Sequence, residues 1–576
     1  MTHSQLNPTT DSRPEPFRWQ RSESTQARHD FHNPDRTAGS QRQFSQQAGI
    51  PRSTLQYWFH QAKHPELEPE LVAFFESPAG YRFLRRLLLA LHLIFHLVGP
   101  AGIRMLCRFL ELTHLDRFVA SSFGSQQALA VHLQAGLIAY ADQEKERLGA
   151  TMPPKKITVC PDENFHGQQA CLVAVEPASN FLILEAYHPQ RDGATWTAAL
   201  KQALHGLPVE VVQVTSDQAK GLVACARDGL EAQHTPDLFH GQQDLSRATA
   251  LPLQRQVDAA QKVLDDVQAH AAEHRQRQQE YENGPRPPGR PPDFAATTQM
   301  AEACVRCATL SLEKCQQRQE EARQAVRGVA DDDHPFDAVS GRPVTAAAVE
   351  QRLEQRLQAV EEIVAAAGLG ESSRAAVAKA RRWLVPLVAS MAWFWEMVTE
   401  LMSGLNLEAE ARRAFREQLL PGLYWQREAS RGRDAEQKQQ RHALSERLLA
   451  AAWSAAGVLG QLPAARRAEI ARVAAEAVAL FVRSSSCVEG RNGRLSLYHH
   501  GQGPLSDVRL RALTAVHNYV VERGDRTTAA ERFFGAKPRP VFECLLEGMP
   551  ELPRPARKRP SVLEAATAGT AGRPKG

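Results

Sequence analysis

KKITVCPDE at 155–163, QQACLVAVEP at 168–177 and FLILEAYHP at 181–189 are three short apolar runs, the first of them ending in acids. Their β-branched, aliphatic and aromatic content predicts three strands. Pro177, Ala178, Ser179 and Asn180 supply turn chemistry between the second and third, which predicts an antiparallel meander. ATWTAALKQALHGL (194–207) then reads as a helix stopping at Gly206, and VEVVQVTSD (209–217) as a fourth strand. AKGLVACARDGL (219–230) reads as a second helix and HTPDLFH (234–240) as a short fifth strand. The order is β-β-β-α-β-α-β.

That order predicts an RNase H-like mixed sheet, in which the first and fourth strands lie side by side. Asp162 follows the first strand directly and Asp217 follows the fourth. Side by side, those strands aim two carboxylates into one small volume, where like charges repel. Divalent cations remove the conflict. Mg²⁺ prefers carboxylate oxygen and keeps water sites open to phosphate. Two such ions about 4 Å apart support in-line phosphoryl displacement. A third carboxylate is expected from a late helix, and Glu489 in SSCVEGRNGRLS (485–496) is the candidate, with Arg491, Asn492 and Arg494 set to meet phosphate oxygens. Simpler roles compete. Ser486 and Glu489 fit a helix capping box, and acids at strand ends commonly form turns. Glu163 must point away from its neighbour Asp162. Asp237 competes for a metal role, or acts with His240 to orient a phosphate or a water.

Working outward, residues 1–37 are polar and rich in Pro, Ser, Arg and Gln, and read as a disordered lead. Within 38–66, QRQFSQQAGIPRSTLQYWFHQAK (41–63) has helix-turn-helix spacing. Phe44 and Ala48 are expected on the inner face of its first helix, Gly49 in the turn, and Leu55 and Trp58 on the inner face of its second. Arg52, Ser53, Thr54, Gln56 and Tyr57 begin that second helix, where base edges are met. Residues 67–150 predict a helical domain and 151–245 the first part of the sheet core. Residues 246–480 predict a large helical insertion, broken by NGPRPPGRPPDF (283–294) and DDDHPFDAVSGRPV (331–344). Its Trp383, Trp393, Trp395 and Trp425 are expected in its core. Residues 481–545 carry the last part of the core with Glu489, and 546–576 a basic disordered tail. The fold class expected is therefore α/β plus all-α.

The composition suits this reading. The 576 residues are 43% hydrophobic and 23% charged with net charge +4, an ordinary globular balance that permits a nucleic-acid partner. Nine scattered cysteines make no disulfide framework and suggest a reducing compartment. Cys304, Cys307 and Cys315 lack a fourth ligand for structural zinc. The N-terminus lacks the apolar run of a signal peptide. The apolar runs Leu87–Leu97 and Trp383–Trp395 fall short of the ~20 residues that a spanning helix needs, so no membrane role is expected.

CPDENFHG, VTSDQAKG, PDLFHGQQDLSR and CVEGRNGRLSLYHHG resemble the catalytic segments of bacterial insertion-sequence transposases of the DDE class. The resemblance covers about 155–250 and 480–540, together with the helix-turn-helix. It implies that Asp162, Asp217 and Glu489 hold two Mg²⁺ or Mn²⁺ ions. It also implies cleavage at the ends of a mobile element and strand transfer into target double-stranded DNA. A dimer or larger assembly on DNA, in the cytoplasm and at the nucleoid of a bacterium, is expected. A helical insertion before the last acid is common in that class, although this one is unusually long. Two other functions remain open at this point: a transposase-derived DNA-binding protein without chemistry, and a nuclease that cuts without joining.

Overall fold

A computed structural model describes residues 19–33, 39–61, 67–286 and 288–555. Two compact units emerge, Met1–Met152 with Gly493–Gly576, and Pro153–Asn492.

The first unit opens with α1 (Arg21–His32), α2 (Gln41–Ala48) and α3 (Arg52–Gln61). Ser40 caps α2 through the Gln43 amide, and Gly49 closes it at φ +66°, a left-handed conformation that glycine adopts without strain. Ala27, Ile50, Leu55 and Trp58 form a small core with Phe44 packed against it. Ala48 is exposed, contrary to the reading of the first helix. The left-handed turn at Gly49 redirects the chain, and Ile50 fills the inner position instead. The helix α1 corrects the disordered lead. Its composition is polar, but Arg28 forms a buried ion pair with Glu76, and the Trp19 ring meets Trp58 edge-on at 5.7 Å. Tertiary contacts of this kind stabilise helices that propensity leaves marginal. Residues 1–18 and 34–37 lie outside the described residues.

The chain continues through α4 (Pro69–Phe75), α5 (Pro78–Leu91), α6 (Ile103–Leu112) and α7 (Phe123–Gly149), as the helical reading of 67–150 predicts.

The second unit begins with β1 (Lys155–His166), β2 (Gln169–Glu176), β3 (Phe181–His188), α8 (Gly193–Leu204), β4 (Val209–Ser216), α9 (Lys220–Ala224) and β5 (Gln233–Pro236). The five strands make one mixed sheet in the order β3-β2-β1-β4-β5. β2 is antiparallel to β1 and β3, whereas β4 is parallel to β1 and β5. The element order and the β1–β4 adjacency agree with the sequence reading. HTPDLFH does not. Its strand ends at Pro236, and Leu238 already starts a helix.

Side chains alternate across a sheet, and this one has two unlike faces. Ile157, Val159, Leu172 and Ala174 pack under Trp196 and Leu200 of α8 and Leu222 of α9. The other face carries Thr158, Cys160 and Asp162 of β1, Glu185 of β3, and Gln213 and Thr215 of β4. Thr158 Oγ1 donates to Gln213 Oε1 at 2.7 Å, and Gln213 Nε2 donates to Thr235 Oγ1 at 2.7 Å.

Helices follow. The first are α10 (Leu238–Asn283, 46 residues) and α11 (Phe294–Asp332, 39 residues). Next come α12 (Ala346–Ala366), α13 (Glu371–Arg381), α14 (Leu384–Ser403), α15 (Ala409–Ala414), α16 (Leu420–Ala429), α17 (Ala435–Ala452) and α18 (Ala464–Ala479). The expected boundary between 245 and 246 falls inside α10, so sheet core and helical region share one continuous helix. The core of the helical region, which takes in Leu238 and Leu245 of α10, includes Trp383, Phe394, Tyr424 and Trp425, with Trp393 and Trp395 packed against it. Among the described residues, one stretch, Glu371–Ser403, is long and apolar enough to cross a membrane. Its Leu384, Leu387, Met391, Phe394 and Val398 belong to this core.

The helix α19 (Ser486–Gln502) begins in the second unit, and its residues from Gly493 onward belong to the first. The first unit closes with α20 (Asp507–Tyr519), α21 (Ala529–Phe534) and α22 (Val541–Glu547). The segment 481–545 is thus not one part of a sheet core, because its residues after 492 pack with the N-terminal helices. The tail is ordered further than its composition suggests. Met549 and Leu552 are buried, and Arg554 pairs with Glu76 at 2.9 Å. Residues beyond 555 lie outside the described residues.

Candidate active site

β1 and β4 run parallel from Lys155 to Val159, after which β1 continues alone against β2. Asp162 therefore lies within β1, opposite Val173 of β2, rather than just past the strand. Pro161 does not end the strand, because it sits beyond the last β4 partner, where a missing N–H is tolerated. Asp217 does follow β4 directly, and its Oδ1 accepts from the Ala219 amide at 3.0 Å. Glu163 points to the apolar face, as expected, where its carboxylate accepts from Arg191 at 2.6 Å and from Trp196 Nε1 at 3.5 Å.

Glu489 is brought to this end of the sheet by a strap, residues 482–485. The Val482 carbonyl accepts from Thr215 Oγ1 at 3.0 Å and from Gln213 Nε2 at 3.3 Å. The Arg483 carbonyl accepts from the Leu238 amide at 2.9 Å. The Ser484 carbonyl accepts from Cys160 Sγ at 4.0 Å, and the Ser485 amide donates to Asp237 Oδ2 at 3.1 Å. Arg483 is held in turn, since its guanidinium donates to the carbonyls of Ala330 and Asp333 at 2.6 and 2.9 Å. Beyond the strap, Arg491 forms a bidentate pair with Glu185 at 2.7 and 2.6 Å. Both side chains are almost wholly buried, at 3% and 0% exposure. Asn492 Nδ2 donates to Asp162 Oδ2 at 3.3 Å.

Burial raises the Asp162 carboxyl to about 6, and the negative charges of Asp217 and Glu489 push the same way. The Asp162 Oδ1 bond from the Glu163 amide and the charge of His240 oppose the rise. The three acids therefore share one electrostatic neighbourhood. They do not close on a common point: among the described residues, no group of three or more His, Cys, Asp or Glu side chains is gathered to hold a metal ion. The donor chemistry nonetheless suits a hard divalent cation. Asp162 resists ionising beside two other acids, and Asn492 Oδ1 is buried with no hydrogen-bond partner. A cation would relieve both conditions.

Several assignments are corrected. Asp237 is buried, caps α10 through the Phe239 amide at 2.8 Å, and holds Ser485 with its other oxygen. Both oxygens are engaged, so it positions the strap and is a poor third ligand. His240 stacks on Trp383, with centroids 6.4 Å apart and planes at 19°. Glu489 is exposed, and the Ser486 amide donates to Ser484 Oγ at 3.2 Å rather than to the Glu489 carboxylate. Arg491 cannot meet phosphate while buried against Glu185. Arg494 is half-buried and donates to the Val98 carbonyl at 3.2 Å. On α3, Arg52, Ser53, Gln56 and Tyr57 are exposed and Thr54 is half-buried.

The strap and the Arg491–Glu185 pair escaped sequence reading. The only local signal was a run of three serines before the helix. A model described as "Family of unknown function (DUF6399)" matches residues 415–561, a span that includes Glu489 and Asn492 but neither Asp162 nor Asp217. No curated protein and no solved structure matches the chain.

Proposed function

We propose that this chain is a DNA transposase of the DDE class, built on an RNase H-like sheet with a helical insertion. The observation that carries the reading is that Asp217, from the adjacent strand, and Glu489, from a distant helix, both act electrostatically on the buried carboxyl of Asp162. The strand order and the β1–β4 adjacency support it.

Asp162, Asp217 and Glu489 are the residues that would hold Mg²⁺ or Mn²⁺, which when bound activates an attacking oxygen and neutralises charge on the leaving oxygen. Asn492 keeps one Asp162 oxygen oriented. Asp237, through Ser485, and Arg491, through Glu185, hold the first turns of α19, which carry Glu489, at this end of the sheet. The helices α2 and α3 form the helix-turn-helix that finds DNA, with Arg52, Ser53, Gln56 and Tyr57 toward the bases. Assembly as a dimer or larger complex on element ends, at the nucleoid of a bacterium, follows from this reading.

The test is cleavage and joining of plasmid DNA carrying the sequences that flank the gene, with Mg²⁺ or Mn²⁺. Asp162→Asn, Asp217→Asn and Glu489→Gln are each expected to abolish cleavage. Undiminished cleavage by all three variants would falsify the proposal. Cleavage without joining identifies a nuclease. Binding without cleavage identifies a DNA-binding protein.

A further inference from the structure

DDDHPF at 331–336 interrupts the helical region, and the proposed reaction makes no use of it. Pro335 disfavours helix at His334, and α11 accordingly ends at Asp332. A helix end leaves its last carbonyls without helical partners. Here Arg483 of the strap answers them from 149 residues further along the chain. Its Nη1 donates to the Ala330 carbonyl at 2.6 Å and to the Asp333 carbonyl at 2.9 Å, and its Nη2 donates to His334 Nε2 at 3.2 Å. The strap is thus bonded on the sheet side at Val482 and Ser485, and tied to the end of α11 by the Arg483 side chain.

His334 is buried, at 3% exposure. A guanidinium has no acceptor, so Nε2 is the bare nitrogen of a neutral ring, and Nδ1 carries the hydrogen, which goes to the Tyr424 hydroxyl. Burial, then the charges of Arg483, Arg441 and Arg427, hold the ring well below its ordinary pKa, so it stays neutral. Trp425 packs against it with centroids 4.9 Å apart. The same cluster fastens the chain just before the strap: Arg427 Nη2 donates to the Phe481 carbonyl at 2.9 Å. Buried Glu428 accepts from Arg427 at 3.2 Å and from Arg431 at 2.9 Å, and its other oxygen lies 3.9 Å from Arg483.

We propose that His334 is a positioning residue for the acidic site: through Arg483 it fixes the strap, and the strap sets where α19 begins and where it carries Glu489. Both carbonyl bonds of Arg483 come from one nitrogen, Nη1. Without the His334 acceptor the guanidinium fork is free to turn about that nitrogen. The His334 bond engages Nη2 and stops the turn, as a rigid fork bound at both ends does. The helical region is then a working part of the site rather than an appendage. The fastening of the strap stands on the geometry alone. Its effect on cleavage rests on the catalytic reading.

The experiment compares hydrogen exchange and DNA cleavage in the full chain for the wild type, His334→Leu and His334→Gln. Leucine removes the acceptor, whereas the glutamine amide offers an oxygen to Arg483 and a hydrogen to Tyr424. His334→Leu is expected to raise exchange across 482–488 several-fold and leave α14 unchanged. It is also expected to lower kcat for cleavage by about 10²-fold at unchanged KM for DNA, the scale of an ångström-sized misplacement. His334→Gln is expected to restore both. Tyr424→Phe, which removes one oxygen and keeps the ring, should shift both readings in the same direction, and it decides the matter if leucine at 334 prevents folding. Unchanged exchange across 482–488 overturns the proposal. So does an equal rise throughout α14, which marks general loosening, and so does a loosened strap with cleavage at the wild-type rate. If the wild type itself cleaves no DNA, the catalytic reading fails, and exchange across 482–488 still decides whether His334 fixes the strap.

Discussion

The two faces of the five-stranded sheet are held by different physics. On one, Ile157, Val159, Leu172 and Ala174 lie under Trp196, Leu200 and Leu222, and the hold is apolar burial. On the other, Thr158, Gln213, Thr215 and Glu185 are buried polar groups, each matched to a partner. Apolar packing is non-directional and tolerates small adjustments. A matched polar network fixes one arrangement, because each broken bond leaves a costly buried group. The apolar face accordingly supplies stability. The polar face supplies position, and Asp162 is a group in conflict with its surroundings.

The largest effect separating the faces is expected in activity. Asp217→Asn or Glu489→Gln should lower metal-dependent cleavage by about 10³-fold, on the order of losing one group that acts in a transition state, with little change in the urea midpoint. An equal fall in midpoint and activity would erase the distinction. On the apolar face, Trp196→Ala should cost about 3–5 kcal/mol of stability in urea titrations. A loss below about 1 kcal/mol, within the range of ordinary surface changes, would mean that this face is not the main hold. Next, Arg491→Met leaves Glu185 as an unpaired buried charge and should cost about 3 kcal/mol. The double change Arg491→Met with Glu185→Leu should recover most of that stability without recovering cleavage. If the double variant cleaves normally, the pair does not position α19.

The smallest expected effect has the opposite sign. The folded Asp162 carboxyl titrates near 6, above its ordinary 3.8. Between those values the folded chain binds the proton more tightly, so stability is full below about pH 4 and is lost as pH rises through 6. Asp162→Asn should therefore stabilise the metal-free protein by about 3 kcal/mol at pH 8 and leave it little changed at pH 4. Thermal unfolding at both values measures this. Destabilisation at pH 8 would place Asp162 among the satisfied groups of its face.

Much of the sheet was legible because strands carry their pattern locally. Apolar runs, a four-residue turn and two intervening helices gave the element order, and that order brought Asp162 and Asp217 to neighbouring strands. What failed depended on distant partners. Arg491, beside Asn492 and Arg494, reads as a phosphate contact, and only Glu185, 306 residues earlier, makes it a structural cation. Asp237 reads as a spare ligand until Ser485 occupies it from 248 residues away. The helix α1 looks disordered until Glu76 neutralises Arg28. Asp162 reads as the residue just past the first strand, and only the continued pairing of β1 with β2 beyond the end of its β4 ladder places it within the strand.

The strap also sets a timetable. Gln213 and the Val482 carbonyl it binds are 269 residues apart. At ~5–20 residues per second, roughly 15–50 s of synthesis separate them. Throughout that interval the nascent chain carries both aspartates and lacks Glu489 and everything that anchors it. On the catalytic reading proposed above, translation order is a safety catch: a ribosome that stalls anywhere in the long helical region releases a chain with two of the three acids and no means of recruiting the third.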